Sequence, residues 1–318
     1  MYDVTALGEL LIDFAPKSVD EAGYPTLAAN PGGAPGNFLA ALNKYGCSVA
    51  MIGKVGDDMF GRLLLNTLQQ AGIETRGVIV DPNQFTTLAF VSLDESGNRD
   101  FSFARKPGAD TCLTAGEMDR DLIENSRVFH FGTLSLTNDP ARDATHKAVA
   151  MAKAAGKLIS VDPNLRKPLW PSEDAAKAAI EWSLHQADIL KISDEEIEFL
   201  WGLSPEAGAQ KLLNEYGVSL VYATLGPKGC YAATKNAAVT VDSPKSINVI
   251  DTTGAGDIFG GSAMSRFLKL NKQPDALTED DLRGIVTFAC TAASLSTQKH
   301  GGISSVPDEA EVLAKIAG

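Results

Sequence analysis

The stretch Asp251-Thr252-Thr253-Gly254-Ala255-Gly256-Asp257 places two glycines and two acids within seven residues. The apolar run 247–250 before it predicts a strand, and apolar residues at helical spacing after it predict a helix. A strand that turns through glycines into a helix leaves free N–H groups at the helix start, where the helix dipole also favours negative charge. The stretch therefore predicts an anion-binding turn at residues 254–256, with the Asp257 carboxylate beside it.

A carboxylate next to an anion site is unfavourable unless a cation or a proton transfer is involved. Glycine turns before helices are common, so Gly-x-Gly-Asp alone is more typical of an ordinary packing turn. The full stretch suits phosphoryl transfer, in which an alcohol attacks phosphorus and Asp257 accepts the hydroxyl proton. The N–H groups of the turn would then hold the charge on the transferring oxygens.

Other polar clusters follow predicted strands or begin predicted helices. Glu9 and Asp13 interrupt an apolar run over residues 4–14 that predicts one buried strand. A structural carboxylate and a ligand for a hydroxyl group both remain open for Asp13. The segment Pro31–Asn37 begins a helical pattern, and Asn37 offers both a donor and an acceptor. Residues 162–166 and 226–229 also follow strands. Because parallel strands share one carboxyl edge, these clusters are expected to gather there.

The chain alternates strand and helix patterns through most of its length. This alternation predicts an α/β fold: a three-layer α/β/α sandwich with a mainly parallel central sheet. Two strand patterns, with a turn at residues 94–98, interrupt the alternation and predict a small β-strand lid, inserted at about 15–34 and 86–105. We interpret residues 1–318 as a single domain.

Composition excludes several classes of protein. The 318 residues are 44% hydrophobic, and the net charge of −12 argues against nucleic-acid binding. Four scattered cysteines without metal or redox spacing favour a reducing, cytoplasmic compartment. Neither a signal peptide nor an apolar run long enough for a membrane span is expected. Walker A, dinucleotide-binding, zinc-protease and serine-hydrolase motifs are absent from the sequence.

The two glycine motifs, Gly32-Gly33-Ala34-Pro35-Gly36-Asn37 and residues 251–257, resemble both signatures of the ribokinase-like (PfkB) carbohydrate kinases. The similarity spans essentially the whole chain. Within that family the segments Gly8–Asp13, Asp162–Arg166 and Thr224–Gly229 are most similar to bacterial fructokinases. The resemblance implies a sugar kinase that transfers the γ-phosphoryl group of ATP to a sugar, with D-fructose and fructose 6-phosphate as the expected pair.

The resemblance also implies roles for individual residues. The catalytic base would be Asp257, and the anion hole would comprise Gly254, Ala255 and Gly256. Sugar-binding positions would be Asp13, Gly32, Gly33, Asn37, Arg105 and Arg166. The nucleotide site would comprise Lys191, Ser193, Thr224, Gly226 and Gly229. Metal positions would be Glu196 for Mg²⁺ and Asp251, Thr253, Gly301 and Ser305 for K⁺.

Two departures from the family pattern affect these implied roles. Ser193 replaces the Asn of the Asn-x-x-Glu magnesium motif, and Ala104 replaces an aromatic residue that often precedes the arginine at position 105. A 2-keto-3-deoxygluconate kinase is therefore the alternative substrate class, since Arg105, Lys106 and Arg166 suit an acidic sugar. A sugar-binding regulator without catalysis is the alternative outside the enzymes. Family lids often pair subunits, so a homodimer through the lid is expected.

Overall fold

The structure is a computed structural model that describes residues 1–93 and 99–318, together with the side chains of residues 1–91 and 102–318. The turn predicted at residues 94–98 lies outside the described residues. The strands are β1 (Tyr2–Leu7), β2 (Leu11–Val19), β3 (Pro25–Gly32), β4 (Val49–Gly56), β5 (Glu74–Asp81), β6 (Thr87–Leu93), β7 (Arg99–Ala104), β8 (Ser126–Gly132), β9 (Leu158–Asp162), β10 (Ile189–Ser193), β11 (Leu220–Thr224), β12 (Cys230–Ala233) and β13 (Ala238–Val241).

The helices lie mainly between the strands of the large sheet, as the alternating pattern predicted. They are α1 (Ala34–Lys44), α2 (Met59–Gln70), α3 (Arg120–Glu124), α4 (Ala141–Ala154), α5 (Glu173–Leu184), α6 (Asp194–Trp201), α7 (Pro205–Lys211), α8 (Ala255–Leu270), α9 (Glu279–Ser296) and α10 (Glu309–Ala317). Among the described residues, no helix combines the length and hydrophobicity that a membrane span requires.

The main sheet has the order β13-β12-β11-β10-β9-β8-β1-β4-β5. Strands β5 to β11 in this order are parallel, and β12 and β13 add antiparallel pairs at one edge. A second sheet, which we call the lid sheet, has the order β3-β2-β6-β7. Its two antiparallel pairs are joined by a parallel pairing of β2 with β6. The predicted lid is therefore present, and the assignment of residues 1–318 to one domain stays a prediction.

Both faces of the main sheet are buried, because side chains alternate between two separate cores. On β4, Val49 and Met51 join one core, whereas Ala50 and Ile52 join the other. Helices α1, α2, α8, α9 and α10 supply the first core, and helices α3 to α7 supply the second. The predicted three-layer α/β/α architecture is confirmed.

Three details of the predicted strands were wrong. The single strand over residues 4–14 is two strands, because the chain leaves the main sheet after Leu7 and enters the lid sheet at Leu11. Residues 247–250 form no strand; Val249 and Ile250 are exposed by 57% and 52%, and the backbone N–H of Ile250 bonds to Thr297 on the α9 side. Strand β5 was not predicted, since its polar and apolar residues show no clean alternation.

The link between β1 and β2 carries a buried acid. Glu9 is only 3% exposed, and its Oε1 accepts the backbone N–H of Ala34 at 2.9 Å, at the start of α1. Gly33 directly before that helix has φ 113°, and a Cβ there would lie 2.3 Å from the Glu9 carbonyl oxygen. Burial raises the pKa of Glu9 to about 7 from an ordinary 4.5. The β1–β2 link and the first glycine motif therefore depend on each other.

This raised pKa predicts a pH-dependent stability. Between pH 4.5 and 7 the folded protein binds more protons at Glu9 than the unfolded chain does, so stability falls as pH rises through that window. Glu9→Gln keeps an acceptor for Ala34 and removes the titration. We expect the unfolding free energy of Glu9→Gln, relative to that of the unmodified protein, to increase by about 2 to 3 kcal/mol from pH 5 to pH 8. Urea denaturation at both pH values measures this difference.

Glu21→Gln, at an exposed position between β2 and β3, is the matched control and should show the same difference at both pH values. An advantage of Glu9→Gln that does not change with pH would contradict the assignment.

Candidate active site

The second glycine motif forms the N-terminus of α8. Gly254 is the capping residue and has a left-handed backbone with φ 74°, so the N–H groups of the first turn are directed out of the helix. A Cβ at Gly254 would lie 2.9 Å from Gly302 Cα and 3.0 Å from Asn37 Nδ2. The turn therefore requires glycine both for its backbone angle and for the close approach of α1. The predicted glycine turn and helix are present, without the predicted preceding strand.

One hydrogen bond joins the two glycine motifs. Asn37 Nδ2 donates to Asp257 Oδ2 at 2.9 Å, and both side chains are buried. Asn37 Oδ1 accepts no hydrogen bond from the residues that the structure describes. The amide thus orients the Asp257 carboxylate through Nδ2, while Oδ1 is buried against Gly302.

Two cavities meet at this turn. A cavity of about 310 Å³ lies under the lid sheet and contains Asp257 and Gly254. A cavity of about 560 Å³ lies on the other side and is bordered by Ala255 and Gly256. Thr252 borders both cavities. An anion bound by the turn would therefore contact ligands in both cavities.

The smaller cavity collects most residues that were predicted to bind sugar. Asp13 of β2, Gly33, Asn37 and Arg166 all line it, and Asn164 and Glu9 line it as well. Gly32 borders Asp13, since a Cβ on Gly32 would lie 2.6 Å from Asp13 Oδ2. Carboxylate, amide and guanidinium groups together match the donors and acceptors of a polyol. Glu9 was not among the predicted site residues, although a charge between two apolar strands was a usable signal.

Arg105 does not line this cavity. Its Nε and Nη2 contact Asp110 Oδ2 at 2.8 and 2.6 Å, and its Nη1 donates to Thr137 Oγ1. Nη2 also donates to the backbone oxygen of Leu134, which is a cavity-lining residue. The prediction that Arg105 contacts the sugar directly is therefore not supported by its position, because buried partners occupy its donors. It holds Leu134 in the cavity wall instead.

The larger cavity is lined by the loop after β11 and by the C-terminal half of α9. Thr224, Gly226 and Gly229 line it, as predicted for the nucleotide site. The apolar residues that were predicted to form a strand, Ile247 and Val249, line it as well. Val249 is exposed because it forms part of a wall of this cavity.

Lys191 and Ser193 of β10, which were predicted for the nucleotide site, do not line the larger cavity. Lys191 Nζ pairs with Asp162 Oδ2 at 2.8 Å, and neither residue is among those that line the larger cavity. Ser193 caps α6: its hydroxyl accepts the N–H of Glu196, while Glu196 Oε2 accepts the N–H of Ser193. Glu196 Oε1 accepts the N–H of Leu165 at 2.8 Å. Both oxygens of the predicted magnesium ligand therefore accept backbone hydrogen bonds, which fix the loop that carries Arg166.

The residues predicted for K⁺ lie behind the anion-binding turn. Asp251 Oδ1 accepts the N–H of Thr253, and its Oδ2 accepts the N–H of Gly301 at 3.1 Å. Ser305 donates to the carbonyl oxygen of Gly302, the next residue along this loop. The four predicted positions therefore belong to one junction, where the loop after α9 meets the turn. Carboxylate and backbone carbonyl oxygens are the hard donors that suit an alkali cation.

Burial raises the pKa of the Asp257 carboxyl, and the charge of Lys191, the hydrogen bond from Asn37 and the charge of Arg166 oppose that rise. A carboxylate with a raised pKa is a stronger base, and it becomes more effective as its pKa approaches the working pH. The environment of Asp257 therefore suits proton transfer at the point where the two cavities meet.

Comparison with known proteins agrees with this geometry. The model of the pfkB family carbohydrate kinases matches residues 1–309. Fructokinase-1 of Zea mays is 42% identical and covers 98% of this chain and 97% of its own length, and fructokinase-2 of Solanum lycopersicum is 39% identical, with 99% and 96% covered.

Solved structures with the same fold include fructokinase from Xylella fastidiosa with bound ATP, at a TM-score of 0.89, 28% identity, and 100% and 99% of the two chains covered. A double mutant of fructokinase from Vibrio cholerae with fructose, ADP and potassium ion superposes at a TM-score of 0.87, with 32% identity and 98% and 97% covered. As the two glycine motifs predicted, the chain belongs to the pfkB family of carbohydrate kinases.

Proposed function

We propose that this protein phosphorylates D-fructose with ATP and produces fructose 6-phosphate. The observation that carries the proposal is the position of the Gly254–Asp257 turn between two cavities, one lined by polyol-binding groups and one by the loop after β11. The names of the relatives and the ligands of the solved fructokinases support the choice of sugar and nucleotide.

In the proposed reaction the sugar occupies the smaller cavity, with hydroxyl groups held by Asp13, Asn37 and Arg166. Its reacting hydroxyl lies against Asp257, which accepts the proton as the sugar oxygen attacks the γ-phosphorus. The bond from that phosphorus to the β–γ bridging oxygen breaks, and ADP leaves. The N–H groups at the start of α8 hold the phosphoryl oxygens throughout. Lid strands over the cavity reduce access of water to the phosphoryl group.

Two cations belong to the proposal. Mg²⁺ would enter with the ATP phosphates near Asp162 and Glu196; among the described residues no group of acidic, histidine or cysteine side chains forms a ready-made metal site. K⁺ would be held by oxygen atoms of Asp251, Thr253, Gly301 and the Ser305 loop. There it would offset the Asp251 charge and stabilise the anion-binding turn.

A panel of sugars tests the function. Release of ADP from ATP and Mg²⁺ should be fastest with D-fructose and at least tenfold slower with 2-keto-3-deoxygluconate, ribose or glucose. Activity should fall when sodium replaces potassium. Faster turnover of the keto-deoxy acid would identify the alternative kinase, and no turnover of any sugar would favour a binding protein.

Asp257→Asn is the control for this panel. Its amide oxygen can still accept from Asn37, so fold and nucleotide binding should persist, while kcat should fall by about 10² to 10⁴ through loss of the base. Normal turnover in this variant would refute the role of Asp257.

Arg166→Ala tests the sugar site separately from the nucleotide site. Arg166 lines the smaller cavity, and its one hydrogen bond recorded in the structure goes to the backbone oxygen of Leu165. Loss of a charged hydrogen bond to a hydroxyl should raise the KM for fructose about tenfold or more. The KM for ATP should stay within about twofold. Arg62→Ala, at an exposed ion pair on α2, should change neither value; an unchanged sugar KM in Arg166→Ala would remove the residue from the site.

A homodimer through the lid sheet and a cytoplasmic location are the remaining proposals. The lid sheet and the turn between its strands expose Val19 and Tyr24 by 67% and 69%, with Leu27 and Phe90 less exposed. Exposed apolar groups of this kind mark interaction surfaces. We expect twice the mass of one chain in sedimentation equilibrium and a single chain in Val19→Asp/Tyr24→Asp. A monomeric unmodified protein would contradict the dimer.

A further inference from the structure

Lys191 is a largely buried cation next to the anion-binding turn, with a side chain that is 12% exposed. The register of β9 against β10 places it beside Asp162, and Nζ lies 2.8 Å from Asp162 Oδ2. An ideal Cβ on Gly256 would be 3.2 Å from Nζ, so the absence of a side chain at Gly256 allows the ammonium to approach the backbone of α8. Gly256 directly precedes Asp257. The ammonium is thus enclosed between the sheet and the start of α8.

The surroundings of Lys191 are poor for a purely structural ion pair. Its space is bordered by Phe38, Tyr222 and Met264. His130 also borders it, and burial holds the pKa of His130 at about 3, so that ring is neutral and cannot share the positive charge. Desolvation of a buried pair commonly cancels its attraction, and apolar residues of similar volume stabilise such a position equally well. Stability alone therefore gives no reason for an ammonium here.

The charges of three carboxylates act on the Lys191 ammonium. Burial alone would lower the pKa of Lys191, and the charges of Asp162, Glu196 and Asp257 outweigh that effect and raise it, so Lys191 stays protonated. Burial raises the pKa of Asp162, and the Lys191 charge opposes the rise. Lys191 is thus the cation common to Asp162 and Asp257.

We propose that Lys191, held by Asp162, is a positioning residue that keeps the Asp257 carboxylate ionised next to the anion-binding turn. The inference rests on the proposed phosphoryl transfer with Asp257 as the base. In that reaction the proton passes from the sugar hydroxyl to Asp257, and Lys191 keeps its own protons throughout. Its charge makes a buried carboxylate beside the helix N-terminus compatible with bound polyphosphate. This role differs from the direct nucleotide contact that the sequence predicted for Lys191.

Other charged and polar groups also lie near Asp257. A test must separate their effect on its pKa from the effect of Lys191. From α1 the neutral Asn37 donates to Asp257, and from the loop after β9 Arg166 adds a second positive charge. The acidic groups nearby are Asp162 of β9, Glu9 of the β1–β2 link and Asp13 of β2. Removal of Lys191 or of Asp162 changes the local charge in opposite directions while the remaining groups stay.

Titration of Asp257 by carboxyl ¹³C NMR tests the proposal without any sugar, nucleotide or magnesium. The Asp257 signal is assigned by its loss in Asp257→Asn. Lys191→Met removes the positive charge and should move the midpoint up by about one pH unit or more. Asp162→Asn removes a negative charge but keeps an acceptor for Lys191, and should move the midpoint down. Lys191→Met/Asp162→Asn should lie between the two single variants.

The same variants should shift the acidic limb of kcat/KM in the same directions, with Lys191→Met losing about tenfold or more at neutral pH and recovering as pH rises. The matched controls, Lys147→Met and Asp143→Asn, alter an exposed 2.7 Å ion pair on α4 and should shift neither profile. Shifts of one sign in both single variants, or no shift, would overturn the proposal.

If Lys191→Met does not fold, Asp162→Asn and the double variant still give the direction in which the Asp257 midpoint moves. An NMR titration that follows these directions in a protein inactive on every sugar would leave this inference standing and refute the proposed function instead.

Discussion

The hydrogen bond from Asn37 to Asp257 constrains much of the structure. It joins residues 220 positions apart, and it forms only if the N-termini of α1 and α8 meet. The two helices approach closely because α8 presents glycine to α1: a Cβ on Gly261 would lie 2.3 Å from the carbonyl oxygen of Phe38. The loop after α9 closes on the same point, since a Cβ on Gly302 would lie 2.1 Å from Asn37 Oδ1. Small residues around this bond therefore allow three chain segments to converge on one carboxylate.

The sequence predicted the elements whose signals are local. Glycine turns followed by helical apolar spacing identified both motifs, and the order of strands and helices identified the layers. The strand predicted at 247–250 was wrong because its apolar residues line a cavity instead of packing in a sheet. In the sequence, apolar residues of either kind give the same pattern. The break between β1 and β2 was missed because both halves are apolar. Only the pairing partners, one in each sheet, distinguish them.

Site residues were predictable where a sequence motif fixes the backbone. They were less predictable where a tertiary partner determines the direction of the side chain. Asp13, Asn37, Arg166 and Asp257 line one cavity. Asn37 and Asp257 lie in the first turns of α1 and α8, Arg166 follows β9, and Asp13 lies near the start of β2 in the lid sheet. Arg105 is directed elsewhere by Asp110, a partner that no spacing rule connects to it. Asp110 lies five residues further along the chain but reaches Arg105 through a turn that the sequence pattern did not reveal.

Local charge explains how a protein of net charge −12 could hold the polyphosphate of the proposed reaction. Long-range repulsion is screened within about 10 Å at ordinary ionic strength, so the groups next to the ligand decide. At the turn these are the helix N–H groups, Lys191 and Arg166, set against Asp162, Glu196 and Asp257. Because three carboxylates outnumber the two cations, a metal ion that entered with the nucleotide would supply the missing positive charge. The acids near the turn thereby favour a nucleotide that carries its own cation over bare phosphate.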